Sequence, residues 1–381
     1  MKSADKPYLI IASDFVKTGG MDRANLALAD YLAKRGENLH IVAYRVVDDI
    51  LNFSNVKVHA VPLIFDSRFL SGPFIRIKGY NIARRLSYQG TRVVVNGGNC
   101  QWGDINWVHY VHKSYQPVSQ VGLVHKLKTS AFHQLSLREE QQSLSMAKLI
   151  IVNSYRTKQD LIKKLSIPQG KIHVVYYGND PQEFYPALVE DKLKLRQKLG
   201  WSMDKDIIIF IGALGDRRKG FDTVFNAWKQ LTQIPNWNGQ LIVVGIGAEL
   251  TKWRRKINDE QIPGIDFLSF RDDVPDLLRA SDCLISPTRY EAYGLGIHEA
   301  LCCELPSIVS SLAGIAERYP PELHELLLPD PENAVDLADR IAKWSNNKKM
   351  YKSLISSFSK ELRSYTWSDM SETIFNLINK T

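Results

Sequence analysis

The chain has 381 residues, long enough for about two to three domains with a core apiece. Hydrophobic residues make up 44% and charged ones 24%, an ordinary globular balance, and no run approaches the roughly 18 consecutive apolar residues of a membrane-spanning helix. The net charge of +8 is uneven: residues 1–186 carry 24 Lys and Arg against 14 Asp and Glu, and residues 51–100 carry seven against one, which suits an anionic partner or a solvated basic face.

The first elements alternate between strand and helix. Residues 8–13 read as an apolar strand and 14–20 as a loop closed by Gly19 and Gly20. Residues 24–34 form an amphipathic helix with Leu26, Leu28, Ala29, Leu32 and Ala33 apolar and Gly36 as its stop, and 39–46 a second strand. This unit fits a Rossmann-like parallel sheet, yet the G-x-G-x-x-G fingerprint is missing, which argues against a nicotinamide dinucleotide. Further strands are expected over 56–61 and 92–95. Between them Arg68, Arg76, Lys78, Arg84 and Arg85 interleave with Phe65, Phe69, Phe74, Ile75, Ile77 and Tyr80, which suits a membrane interface, an anionic acceptor or an ordinary surface helix. Residues 105–112 alternate with period two and read as a strand with His109 and His112 near its end. Residues 147–154 form another strand, followed by a helix over 155–165.

The second half repeats the pattern. After a strand over 207–211, Arg217, Arg218 and Lys219 sit in a glycine-flanked loop before a helix, an arrangement that suits a diphosphate. Strands over 240–245 and 265–270 follow. Residues 283–286 then form a strand, 290–296 a loop with Gly294 and Gly296, 297–303 a helix and 305–310 a strand. That loop lies at the carboxyl end of a parallel strand, where such sheets bind ligands. Its glycines admit a ligand close to the backbone, and the amides of the next helix turn face an anion. Glu291 and Glu299 would repel a phosphate, so they suit sugar hydroxyls, to which a carboxylate can only accept. Cys100, Cys283, Cys302 and Cys303 have no metal-binding spacing and read as buried thiols in a reducing compartment. The first fifteen residues lack the apolar core of a signal peptide, so a cytoplasmic chain is expected.

Glu291-Ala292-Tyr293-Gly294-Leu295 followed by Glu299 resembles the E-x7-E signature of retaining glycosyltransferases of family 4 (glycosyl transferases group 1). The resemblance extends over essentially the whole chain and is strongest over 207–317. It implies a GT-B fold: two Rossmann-like, doubly wound α/β domains facing across a cleft. The acceptor domain would be residues 1–186 with a returning helix at about 366–381, and the nucleotide-sugar domain residues 187–365. The implied reaction moves a sugar from a UDP- or GDP-sugar to an acceptor hydroxyl with retention, as in glycolipid or surface polysaccharide synthesis.

By the same resemblance Glu291 touches the transferred sugar and Glu299 the ribose. Gly294, Leu295 and Gly296 line the donor, Gly19 and Gly20 face its phosphates and the acceptor, and His112, with His109 as runner-up, touches the sugar hydroxyls. Lys219 matches the family lysine. Ala213 stands where the family has an arginine, and either Arg217 or Arg218 would replace its charge. No metal or other cofactor is implied: Asp204-Lys205-Asp206 has the D-x-D spelling of a metal site but precedes a strand. The expected partners are the nucleotide sugar and a glycan, lipid-linked or small-molecule acceptor, with peripheral contact to an anionic membrane as a further expectation and no nucleic acid. The rival readings are a nucleotide-sugar epimerase or a phosphorylase of the same fold, and a non-catalytic relative that binds membrane or anions.

Overall fold

The computed structural model describes residues 6–116, 123–215 and 217–380. Residues 1–5 of the N-terminal stretch and Asp216 of the cation loop lie outside the described residues, as does the side chain of Phe69. The chain divides into two compact units, the first from residues within Met1–Gln116, Ser130–Gly178 and Thr366–Thr381, the second built on Asn179–Tyr365.

In chain order the first half runs β1 (Tyr8–Ile11), β2 (Asp14–Phe15), α1 (Gly20–Lys34), β3 (Leu39–Ala43), β4 (Arg45–Val46), α2 (Asp48–Leu51), β5 (Val56–Ala60), α3 (Arg68–Leu86), β6 (Arg92–Asn96), β7 (Ile105–Val108), α4 (Leu123–Met146), β8 (Leu149–Val152), α5 (Tyr155–Leu165) and β9 (Ile172–Val174). Seven strands form one parallel sheet in the order β5-β3-β1-β6-β7-β8-β9, while β2 and β4 pair separately. The runs Tyr8–Ile11, Leu39–Ala43, Ile105–Val108 and Leu149–Val152 are buried throughout, as strands covered by helices on both faces require. Helix α1 buries Ala24, Leu28, Ala29, Leu32 and Ala33, and α3 turns Ile75, Ile82, Ala83 and Leu86 into the core around β1 and β6. At Gly79 a Cβ would come within 3.0 Å of Ile11, so glycine sets the close approach of α3 to the sheet.

The second unit runs α6 (Val189–Leu199), β10 (Asp206–Ile211), α7 (Phe221–Leu231), β11 (Gly239–Val244), α8 (Leu250–Asp259), β12 (Ile265–Leu268), α9 (Val274–Ala280), β13 (Cys283–Ser286), α10 (Leu295–Cys302), β14 (Ser307–Ser310), β15 (Leu327–Leu328), α11 (Ala334–Asn346) and α12 (Lys348–Arg363). Its parallel sheet has the order β12-β11-β10-β13-β14-β15. The chain then returns to the first unit as α13 (Trp367–Lys380), which packs on α1. Each unit is thus a doubly wound α/β sheet, as the strand–helix alternation predicts.

Strand order reverses between β1 and β6 in the first sheet and between β10 and β13 in the second. At such switch points the loops leaving the two central strands diverge and open a crevice at the carboxyl edge. In the second unit those loops are the one carrying Arg217–Lys219 and the one carrying Glu291.

Several boundaries differ from expectation, four of them at a candidate site residue or a strand pairing. Helix α1 begins at Gly20 rather than residue 24, because the polar Asp22 and Arg23 extend it outside the apolar stripe. The strand expected over 39–46 breaks at Tyr44, and its last two residues pair with β2 instead. The strand expected over 105–112 ends at Val108, since the His109 carbonyl accepts from Asn153 and the chain turns away from the ladder. Helix α10 begins at Leu295, so Leu295 and Gly296 form its first turn and Gly294, at φ 103°, is its N-cap. Among the described residues no helix is long and apolar enough to cross a membrane. All four cysteines are buried and unpaired.

Candidate active site

Beyond β10 the backbone packs tightly. A Cβ at Gly245 would sit 2.0 Å from the Gly212 carbonyl oxygen, and one at Gly247 would sit 2.2 Å from the Leu214 backbone. Only glycine permits the loops after β10 and β11 to touch. Residues Arg217–Lys219 then form a single 3₁₀ turn closed by Gly220 at φ 76°, where a Cβ would lie 2.0 Å from the Pro287 carbonyl oxygen. This contact holds the cation loop against the end of β13. Two further bonds fix it: the Arg289 amide donates to the Arg218 carbonyl at 2.8 Å, and the Thr288 hydroxyl to the same carbonyl at 3.0 Å.

The three cations diverge. Lys219 donates from Nζ to Glu291 Oε2, and Arg218 from Nη1 to the same oxygen at 3.5 Å and to the Tyr290 carbonyl at 3.3 Å. Arg217 turns elsewhere, to Asp222 at 2.8 Å and Glu332 at 2.9 Å. Arg289 joins that second cluster, bonding both carboxylates and the Arg217 carbonyl. Burial alone would lower the Arg289 pKa, but Glu332 and Asp222 more than offset it and raise it. The structure therefore brings Arg218, Lys219 and Glu291 together and sets Arg217 apart.

Glu291 is held by its backbone as well. It forms a parallel bridge with Ala313, and its carbonyl accepts from the Gly314 amide at 3.0 Å. Burial pushes its carboxyl up, and Lys219 and Arg218 more than compensate, keeping it below the usual glutamate range and ionised. Two cations on one carboxylate leave a surplus positive charge at the switch point. Helix α10 begins four residues later, at Leu295, and the amides of Leu295 and Gly296 are among the donors a helix leaves outside its own ladder. Glu299 lies one turn past Leu295 on the same side of α10 and is buried. Neighbouring His298 bonds the Tyr293 hydroxyl at 2.8 Å, and burial drops its pKa to about 3, so it is a neutral packing residue.

Gly19, Gly20 and His112 belong to the first unit. Gly19 has φ 81° and precedes α1, whose first turn carries Asp22. Close by, Asp14 is buried with one oxygen on Arg45 at 2.8 Å and the other on Arg68 at 2.6 Å. The two histidines separate cleanly. His109 is buried, bonds the Tyr177 hydroxyl at 2.6 Å and is kept neutral by burial, with a pKa near 3. His112 is 34% exposed at the side chain, its Nδ1 3.2 Å from Glu140 Oε1, which also accepts from the His112 amide at 3.0 Å. That carboxylate is 1% exposed and fixes the ring through Nδ1.

Glu140 and Arg289 are the site-shaping residues that sequence reading missed. Arg289 adjoins Glu291, so its place in the loop was a usable signal, whereas Glu140 lies 28 positions from His112 and only the fold joins them. Among the described residues no group of three or more His, Cys, Asp and Glu could hold a metal. Asp206 heads β10 at its amino end, bonded to Ser345 at 2.5 Å and to Lys348, far along the strand from the switch-point loops.

Two family profiles match the chain in order: Glycosyltransferase Family 4 over residues 18–183 and Glycosyl transferases group 1 over residues 191–360. An uncharacterized glycosyltransferase of Methanocaldococcus jannaschii is 22% identical over 280 residues, 71% of this chain and 68% of that one. Among solved structures, sucrose-phosphate synthase from Thermosynechococcus elongatus superposes with a TM-score of 0.79 at 20% identity, over 98% of both chains. Anabaena HepE in complex with UDP-glucose does so at 0.71 and 17%, over 98% of this chain and 100% of that one. Both confirm the GT-B architecture of two parallel-sheet α/β domains. With one profile on each half and the fold common to both comparisons, the chain belongs to the family 4, group 1 glycosyltransferases and is a transferase enzyme.

Proposed function

We propose that the chain transfers a glycosyl unit from a nucleoside diphosphate sugar to an acceptor hydroxyl with retention of configuration, in the synthesis of a glycolipid or surface polysaccharide. The observation that carries this reading is the convergence of Lys219 and Arg218 on Glu291 at the β10/β13 switch point. Cleavage of a glycosyl–phosphate bond builds negative charge on the departing diphosphate, and fixed cations that meet it lower the barrier without a metal. Lys219 and Arg218 take that role, aided by the amides of Gly294, the N-cap of α10, and of Leu295 and Gly296 in its first turn. HepE, a chain of the same architecture, has been seen with UDP-glucose, which supports a nucleotide sugar here.

Glu291 accepts hydrogen bonds from the transferred sugar rather than attacking it. An anionic carboxylate held by two cations is a poor nucleophile. The acceptor instead attacks from the leaving-group face and passes its proton to the phosphate. Glu299 accepts from the ribose hydroxyls, His112 bonds the sugar through Nε2, and the Gly19-Gly20 turn meets the phosphates and acceptor.

The test separates the two glutamates. Glu299→Gln keeps one acceptor oxygen but loses the charge, so UDP or GDP binding should weaken by about 1–2 kcal/mol in calorimetry. Glu291→Gln should leave diphosphate binding nearly intact while turnover falls, because its contacts tighten only as the sugar gains positive charge. Equal losses of diphosphate affinity would refute the division. No change in either variant would refute the site.

A further inference from the structure

Helix α3 is apolar on two sides. Its inward side is the expected one: Ser71, Ile75, Gly79, Ile82, Ala83 and Leu86 are buried against the first sheet. Its outward side repeats at the same helical spacing, with Leu70, Phe74, Ile77 and Tyr80 all exposed, Ile77 at 62%. A surface helix of a globular protein carries polar residues there. The stripe continues beyond both ends. Tyr88 is 90% exposed at the far end. Phe65 is 90% exposed just before the helix, with φ 48°, a left-handed conformation that a bulky side chain rarely adopts. The fold holds an aromatic ring out in solvent at a backbone cost, which marks the loop as more than a connection.

The charges along α3 have one sign, and the exposed Asp66 beside Phe65 lies before the helix. No acidic residue occurs from 67 to 103, while Arg84 and Arg85 lie exposed in the last turn of α3. Lys78 projects beside the stripe, where it donates to the Ala60 carbonyl at 2.5 Å. A second copy of the chain would place these cations opposite themselves under two-fold symmetry, so self-association is disfavoured. A surface that presents negative charge over a hydrocarbon layer matches both features at once.

We propose that Phe65 and the outer side of α3 form a docking surface for an anionic lipid bilayer, with Phe65, Leu70, Phe74, Ile77 and Tyr88 entering the headgroup boundary and Arg84, Arg85 and Lys78 meeting the lipid phosphates. A helix lying in the interface plane buries one apolar side and keeps its cations at headgroup level. The stripe from Leu70 to Arg84 is about 21 Å long at 1.5 Å per residue, a footprint several lipids wide.

The test is flotation of the full chain with vesicles of phosphatidylcholine alone and of phosphatidylcholine with phosphatidylglycerol. The wild type should float with the anionic vesicles and lose binding as salt rises. Arg84→Ser with Arg85→Ser should weaken binding about twenty-five-fold, at about fivefold per charge. Phe74→Ser with Ile77→Ser should weaken it by at least about tenfold through lost apolar burial. Phe65→Ser, a single change in an exposed loop, gives an independent reading if the double variant folds poorly. Equal flotation with neutral vesicles would overturn the proposal. So would undiminished binding of all three variants, or a lipid-free dimer that Ile77→Ser dissociates. These residues lie outside the phosphate loop and the two glutamates, so failure here leaves the donor reading intact.

Discussion

Arg217, Arg218 and Lys219 are adjacent cations with different fates, and the 3₁₀ turn explains why. At three residues per turn, consecutive side chains leave the axis about 120° apart, so one sequence run cannot aim all its charges at one ligand. Arg217 is spent on Asp222 and Glu332, where Arg289 already bonds both. Lys219→Ala should therefore cost on the order of 2–4 kcal/mol of transition-state stabilisation. Arg217→Ala should retain most turnover, and Arg289→Ala, which leaves Asp222 and Glu332 to Arg217 alone, should act mainly by lowering the melting temperature. Initial rates and melting curves of the three variants decide this, and an unimpaired Lys219→Ala would sink the diphosphate role. Asp22 presents a different kind of prediction. Burial first, and the neighbouring Asp14 second, raise its carboxyl to about 6, against the opposing pull of Arg68 and Arg45. The folded state then binds the proton more tightly than the unfolded one, so stability falls as pH rises from about 4 to about 6 and the penalty is complete above that. Asp22→Asn should stabilise the protein at pH 7 by on the order of 1–2 kcal/mol, discounted for partial exposure, and make no difference near pH 4. Melting temperatures of both proteins across that range test the sign.

At the scale of elements, the site rests on glycines that let loops touch. Gly220→Ala would put a methyl 2.0 Å from the Pro287 carbonyl oxygen at a φ that alanine resists. The expected result is a loss of about 2–3 kcal/mol in stability together with a displaced cation loop, seen as weaker diphosphate binding in calorimetry. A variant with normal binding and melting would show that the loop is held by other contacts. The strand–loop–helix–strand run from Cys283 to Ser310 was legible in the sequence because each signal is local: an apolar run, two glycines, and a second apolar run. The start of α10 was not, since Leu295 and Gly296 read as loop until Gly294 is seen to cap the helix. Residues 105–112 misled for a related reason. Their alternation is real, but the pull of Asn153 on the His109 carbonyl ends the ladder early, and that contact spans 44 positions. Long-range contacts also set the two histidines apart: burial keeps the His109 ring neutral and Tyr177 bonds it, while Glu140 orients the His112 ring. Glu140 itself carries no local mark, because α4 shows no clean amphipathic stripe to set its inward residues apart.

At the scale of the molecule, sequence distance and structural membership part company in α13, the last helix of the chain yet an element of the first unit. Its attachment is specific. The Tyr8 hydroxyl donates to Asn379 at 2.8 Å, Phe375 packs on Tyr8 and Tyr31 with ring centroids 5.9 and 6.0 Å apart, and the Arg35 guanidinium sits 4.5 Å over the Phe375 ring. Trp367 packs on Tyr177, and Ile374 and Ile378 are buried in the same seam. Phe375 is thus the hub of an aromatic and cation cluster that joins the end of the chain to β1 and α1, and its loss removes the contacts of that cluster. Phe375→Ala should destabilise the first unit by about 2–3 kcal/mol, below the upper end for aromatic truncation because the ring is partly exposed. The consequence should be local to that unit. Amide hydrogen exchange in β1, β3 and α1 should accelerate by about thirtyfold or more, the equivalent of about 2 kcal/mol, while β10, β11 and β13 keep their protection. Equal acceleration in both sheets would show that the two units open as one cooperative body. No acceleration in either would show that α13 adds nothing to the stability of the unit it joins.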